Sequence, residues 1–304
     1  MQTTDVIYEI QSDVEVIENN SALYEETNFD SRVKAIDSIE FNVIDRIEGL
    51  LLATSQPEEL TTLKQYAERV KSQLEEIDDN LFQRLRADIR VGVCAGTALT
   101  GQIDKYIGCD SREGGQQDDM GYDSLDVFIN GLLLINAGPI ETKDREPEMV
   151  YYQPTPARII LELVEKANLT GKDVFYDLGS GLGQVPILVN LLSGAKAKGV
   201  EFEPAYCDYA RVCAAELNLS RVEFINVDAR KADYSDGTVF FMYTPFEGRL
   251  LQEVLEKLRG ESRRRVIRLF TYGPCTRQVS QQSWLKCVDQ NRNHIYKLGV
   301  FKSL

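Results

Sequence analysis

The chain has 304 residues, 43% of them hydrophobic and 27% charged, with a net charge of −14 at neutral pH. That length suits two domains, and no apolar run approaches the ~20 residues of a membrane span. The opening Met1-Gln2-Thr3-Thr4-Asp5 has neither the basic start nor the apolar stretch of a secretory signal. The six cysteines contain no C-x-x-C pair and His294 is the single histidine, which leaves too little material for a zinc site or for a Ser–His or Cys–His triad. Reduced thiols, a cytoplasmic location and no metal are expected.

The acidity is uneven. Residues 1–80 hold 19 Asp or Glu against 6 Lys or Arg, and the rest of the chain holds 29 against 28. The N-terminal excess reads either as a solvated helical surface or as a face that attracts a basic partner. Neither part is suited to grasping a phosphate backbone, so nucleic acid is disfavoured as a partner.

In chain order, residues 1–27 are acidic and loosely patterned. From Asp30 the apolar positions Val33, Ile36, Val43, Ile44, Ile47, Leu50 and Leu51 recur near the helical period. Ser55-Gln56-Pro57-Glu58-Glu59 signals a second helix start. Behind it Leu60, Leu63, Ala67, Val70, Leu74 and Ile77 step by 3 and 4, with Leu81, Leu85 and Ile89 beyond. This heptad seam fits a helix pair within the chain, which we prefer, or a coiled-coil dimer. Residues 92–120 are glycine-rich and ambiguous, with a loop expected at 112–119. Tyr122 to Ile135 returns to a helical pattern. The polar stretch 138–148 is punctuated by Pro139 and Pro147 and carries the expected boundary, between an acidic, mostly helical domain (1–145) and a second domain (146–304).

In the second domain, Tyr151-Tyr152-Gln153-Pro154-Thr155-Pro156 is held extended by its prolines before a helix through Ile159, Ile160, Leu163, Val164 and Ala167. From Val174 strands and helices alternate. Strands are expected at 174–178, 197–202, 222–227, 238–243 and 265–271, with helices near 184–193, 205–217 and 248–259. Two closing strands, 284–288 and 294–301, flank Asn291-Arg292-Asn293. The expected fold class is α/β, a parallel Rossmann-like sheet closed by a terminal antiparallel hairpin and preceded by the helical domain.

The most informative stretch is Val174-Phe175-Tyr176-Asp177-Leu178-Gly179-Ser180-Gly181-Leu182-Gly183-Gln184-Val185. Three alternate glycines permit positive φ and close approach of a ligand to the backbone, and the next helix offers unpaired amides to the same crevice. The spacing is G-x-G-x-G, where a dinucleotide fingerprint has G-x-G-x-x-G. Asp177 would repel a pyrophosphate but suits a cation such as an ammonium or a sulfonium. At the end of strand two, Glu201 can accept both hydroxyls of a ribose, while Glu203 beside Pro204 is more simply a helix-start acid. Asp228-Ala229 closes strand three.

This arrangement resembles motif I and the acidic strand ends of the class I S-adenosylmethionine (SAM) methyltransferases. The resemblance covers residues 150–304 and implies SAM as cofactor, with Asp228 taking the adenine amino group and the Ala229 amide facing the ring. The wording from Asp177 to Val185, followed by Gly199-Val200-Glu201, is similar to the Dot-type, non-SET lysine methyltransferases and to related small bacterial enzymes. That similarity makes Tyr152 and Thr155 lid contacts and Gln184 a further cofactor contact. With Asp177, Gly179, Ser180, Gly181, Gly183, Glu201, Asp228 and Ala229 they complete the expected cofactor site.

Met242-Tyr243-Thr244-Pro245-Phe246 replaces the asparagines that Dot-type enzymes carry there, and their basic nucleosome-binding tail is absent. The segment also resembles the (Asp/Asn)-Pro-Pro-(Tyr/Phe) element of amino-methylating enzymes, and it reads equally as a strand exit ended by proline. If functional, Tyr243, Thr244 and Phe246 are the catalytic candidates, lining the acceptor side. The expected activity is methyl transfer to a protein amine, a lysine, by in-line displacement. A small molecule or RNA as acceptor, or a SAM-binding scaffold without chemistry, are the alternatives.

Overall fold

The computed structural model describes residues 3–52, 57–108, 122–135, 137–289 and 295–304. They form two compact units, Met1–Leu85 with Gln102–Cys109 and Arg86–Gly101 with Asp110–Leu304.

The first unit is helical. Helices α1 (Thr3–Glu18) and α2 (Phe29–Ser38) are followed by a π-helical stretch (Ile39–Ile44), α3 (Asp45–Leu51) and α4 (Pro57–Arg90). The loosely patterned first residues form α1 because Ile10 and Val14 lie on one helical face and reach the core. The seam residues Leu60, Leu63, Ala67, Val70 and Leu74 are buried in a single cluster with Ile10, Val14, Ile39, Val43 and Ile47, so the heptad closes within the chain. Ser55 and Gln56 of the expected helix start, and the loop expected at 112–119, lie outside the described residues. The glycine-rich stretch forms α5 (Thr97–Ile107).

A buried ion pair fixes this unit. Arg32 is fully buried; its Nε donates to Asp78 Oδ1 at 2.8 Å and its terminal nitrogens donate to the carbonyls of Leu23, Glu25 and Glu26. Burial raises the Asp78 carboxyl and Arg32 pulls it back down. Arg32→Met strands that carboxylate and is expected to cost about 3 kcal/mol in urea unfolding of the whole chain; adding Asp78→Leu should recover most of the loss, since the unpaired charge is what is expensive. Equal instability of the single and double variants would contradict this.

The second unit is built on a seven-stranded sheet. Its strands are β1 (Val174–Leu178), β2 (Lys196–Glu201), β3 (Val222–Asn226), β4 (Val239–Tyr243), β5 (Arg268–Tyr272), β6 (Leu285–Cys287) and β7 (Gly299–Ser303), in the order β3-β2-β1-β4-β5-β7-β6. The first five are parallel and β7 runs antiparallel between β5 and β6. The strand order reverses between β1 and β4, which opens a crevice at their carboxyl ends. Helices α6 (Ser124–Leu133), α7 (Ala157–Ala167), α8 (Gln184–Ser193), α9 (Pro204–Glu216), α10 (Gly248–Ser262) and α11 (Cys275–Ser280) complete the unit. α10 buries Leu251, Val254, Leu255 and Leu258 in one core with Tyr176, Phe240 and Met242 of the sheet.

Helix α6, placed in the N-terminal domain by a boundary at 145, packs on α7 and α8. Asp126 forms a capping box with Asp123 and also accepts the Ala157 amide at 2.7 Å, joining α6 to the start of α7. The expected terminal hairpin is present as β6 and β7, although the second strand begins at Gly299, later than Ile295. Asn291-Arg292-Asn293 and His294 lie outside the described residues.

Candidate active site

β1 carries Asp177 and Leu178 to the crevice, where the chain turns through Gly179, Gly181 and Gly183 with φ of 81°, 51° and 87°. Each glycine is also required by a neighbour. A Cβ would overlap Pro245 at Gly179, the Tyr152 ring at Gly181, and Phe224 and Ala210 at Gly183. Tyr152 therefore lies over the turn, with its ring 5.5 Å from that of Tyr206.

Asp177 is 3% exposed, and burial followed by the nearby Glu201 charge raises its pKa well above the usual carboxylate range. Glu201 ends β2; its carboxylate accepts the amides of Gly181 and Glu203, both at 2.8 Å, and burial still raises its pKa. Neither acid is paired with Lys or Arg among the described residues. Two buried carboxylates without a cation are costly unless a cationic ligand joins them. Asp228 differs: hydrogen bonds from Arg230 hold its carboxyl below the ordinary range.

Residues 138–152 form a strap over the crevice. Glu203 caps α9 through the Ala205 amide and also accepts the Thr142 amide, the Thr142 hydroxyl and the Lys143 amide. Burial alone would raise its pKa, but these donors bring it down to about 2. At the other end of the strap, Glu148 accepts the Leu250 amide and Val150 donates to the Pro245 carbonyl. Glu203 thus has a second job besides the helix start, legible only once Thr142 is known to lie beside it.

The strap and strand ends line an open cleft whose envelope, solvent included, is about 800 Å³. Of the expected residues, Tyr152, Gly179, Glu201, Asp228, Ala229, Tyr243, Thr244 and Phe246 line it. The others sit behind or beside it. Ser180 turns its hydroxyl toward Gly199, where it is buried without a partner. Gln184 donates to Asn130 at 3.0 Å, leaving its Oε1 buried and unpartnered. Thr155 is buried. Phe246 lies at the apolar end of the cleft, bridged to Met149 and clustered with Ala229 and Leu250.

A second hollow, about 620 Å³, shares Tyr243, Thr244, Tyr151 and Gln153 with the first and adds Tyr272 and Tyr296. Thr244 has φ of 39°, a strained value for a β-branched residue. Its hydroxyl donates to the Tyr272 carbonyl at 3.0 Å and accepts the Cys275 amide at 3.2 Å, so its side chain serves the β5–α11 turn.

The family model described as "Histone methylation protein DOT1" matches residues 147–285. A Protein-lysine N-methyltransferase of Saccharolobus islandicus (strain REY15A) is 28% identical over 172 residues, covering 50% of this chain and 96% of the relative. The Probable ribosomal RNA small subunit methyltransferase A of Thermococcus onnurineus (strain NA1) is 34% identical over 91 residues, covering 29% of this chain and 31% of the relative, so the chain spans about a third of that protein. Similar solved structures include an RNA methyltransferase from Salinibacter ruber in complex with S-adenosyl-L-homocysteine (26% identity, 50% of this chain and 92% of that one, TM-score 0.39). Another is Precorrin-6y C5,15-methyltransferase from Geobacter metallireducens GS-15 (17%, 51% and 92%, TM-score 0.39).

The chemistry of the site suits SAM: Glu201 is a buried acceptor lining the cleft, and Asp177, buried beside it, is a second acid with no Lys or Arg partner among the described residues. No helix among the described residues is long and apolar enough to cross a membrane. A glycine turn beside two buried carboxylates that no Lys or Arg pairs among the described residues, on a sheet whose order reverses there and in a stretch that matches the DOT1 family model, supports a class I SAM-dependent methyltransferase.

Proposed function

We propose that the chain methylates a protein amine, a lysine side chain, and that residues 146–304 carry the reaction. The observation that supports this reading most is the second hollow. It opens from the cofactor cleft through Tyr243 and Thr244, is walled by Tyr151, Tyr243, Tyr272 and Tyr296, and has Glu247 at its side. Tyrosine faces and an acid suit a cationic, slender side chain. No Lys or Arg lines it among the described residues, so a phosphate backbone would find no counter-charge there. The DOT1 family match and the relative named Protein-lysine N-methyltransferase agree with this reading.

In the proposed site, Asp177 and Glu201 hold the cationic and ribose portions of the cofactor, the turn from Gly179 to Gly183 and Gln184 lie along it, and Tyr152 closes the strap. Bound there, SAM supplies a methyl group on a cationic sulfur, which leaves as a neutral thioether when an amine lone pair displaces it in line. Tyr243 and Tyr272, with ring centroids 4.9 Å apart, exclude water from the incoming amine. Thr244, its hydroxyl already committed, can offer the amine only its main-chain carbonyl. The amine proton leaves to solvent.

Incubation with methyl-labelled SAM and separated protein, RNA and small-metabolite fractions tests the acceptor. Label is expected in protein and, after hydrolysis, on methylated lysine. Label confined to RNA or to metabolites would assign a different acceptor, and label in no fraction would leave a SAM-binding scaffold.

A further inference from the structure

We propose that Arg230 is a positioning residue for the adenine end of the cleft, holding the Asp228 carboxylate in the orientation that reads an exocyclic amino group. The proposal rests on the assignment of Asp228 as the adenine-facing acid. The Arg230 amide donates to Asp228 Oδ1 at 2.8 Å, Nε is shared between Oδ1 and Oδ2 at 3.0 Å to each, and Nη2 donates to Oδ2 at 2.6 Å. A carboxylate offers about four lone-pair sites. Three donors from one residue make four contacts and fix its plane, and because the Nε hydrogen is divided between the two oxygens, a further donor can take one of its places.

The same guanidinium reaches outward. Nη2 also pairs with Glu146 of the strap, and Nη1 lies 3.9 Å from Glu253 on α10. Arg230 thus joins the third strand end, the strap and α10 around one guanidinium. Ion pairs on an open surface contribute little, but the Asp228 side chain is only 10% exposed and lines the cleft beside Val227 and Ala229. There, freedom to rotate would cost recognition. The planar fork is what this task needs: a lysine could supply the charge but could not clamp both oxygens.

The test compares S-adenosylhomocysteine with its 6-oxo analogue, S-inosylhomocysteine, by calorimetric titration. The proteins are the wild type, Asp228→Ala, Arg230→Gln and Arg230→Lys, each checked for an unchanged melting temperature. The wild type is expected to prefer the amino form by at least about tenfold, the worth of one hydrogen bond to a charged group. Asp228→Ala and Arg230→Gln should both bring the ratio close to one. Arg230→Lys should recover affinity for both ligands but little of the preference, an outcome that a purely electrostatic or structural role would not give. If Arg230→Gln keeps the wild-type ratio while Asp228→Ala loses it, Arg230 does not position the acid. If Asp228→Ala itself keeps the ratio, the assignment of Asp228 fails first, and the role of Arg230 fails with it.

Discussion

Glu201→Gln is expected to bind SAM about a thousandfold more weakly than the parent, while the protein remains folded. Two charge-assisted hydrogen bonds to ribose hydroxyls are each worth roughly 1.5–3 kcal/mol, and losing both accounts for that factor. The substitution also turns an amide donor toward a place where the carboxylate now accepts the amides of Gly181 and Glu203. Titration calorimetry reads the loss directly, and an affinity within about threefold of wild type would remove Glu201 from the ribose site.

The pH dependence follows from the same pair of acids. Asp177 and Glu201 both have pKa values raised in the folded protein, Asp177 by burial and then by the Glu201 charge, Glu201 by burial. A raised carboxyl binds its proton more tightly folded than unfolded. Its contribution to ligand-free stability is therefore complete below the unfolded pKa and is lost as pH rises through the folded pKa. SAM acts in the opposite sense, because its cationic part needs Asp177 ionised and its ribose hydroxyls need a Glu201 carboxylate that only accepts. The rise in melting temperature that SAM produces should therefore shrink as pH falls, beginning above the usual carboxylate range near about 4. Asp177→Asn should flatten the dependence. A melting shift that stays constant between about pH 8 and about pH 5 would show that the buried acids do not grip the cation.

Gly181→Ala is expected to lower SAM affinity about a hundredfold and to destabilise the strap. Two penalties meet at this atom: a positive φ costs a non-glycine residue roughly 1–2 kcal/mol, and the new methyl occupies the space of the Tyr152 ring. The ring must leave the turn, and the lid leaves with it. Tyr152→Ala on the same background should recover part of the thermal stability without restoring binding, since the clash is relieved while the positive-φ cost remains and the lid stays absent. Strictly additive effects in this double-mutant cycle would mean that the two residues do not touch.

The turn and the strands around it were legible because their signals are local. Val174 to Gln184 carries strand, acid, glycines and helix start within one short stretch, and each glycine is demanded by backbone geometry as well as by a neighbour. Helix α1 was harder to see because acids crowd the stripe through Ile10 and Val14. The companions of the site were not legible at all. Glu203 meets Thr142 and Arg230 meets Glu146 across the sequence, and only folding brings them together. Thr244 shows a subtler limit: its place at the strand exit was visible, but the commitment of its hydroxyl to Tyr272 and Cys275 depends on β5 lying alongside. Phe246, expected at the acceptor, lines the cleft and also joins the apolar cluster that holds Ala229 and Leu250, a packing role that its place at the strand exit did not announce.

The position of β7 bears on how the protein is made. It follows the other strands of the described sheet in sequence, yet it belongs between β5 and β6. Until it arrives, the flank of β5 displays unmet amides and carbonyls, an invitation to intermolecular strand addition. Chains in which β7 has not yet paired should therefore be the most vulnerable to aggregation, and a substitution that keeps β7 out of the sheet would make that transient hazard permanent.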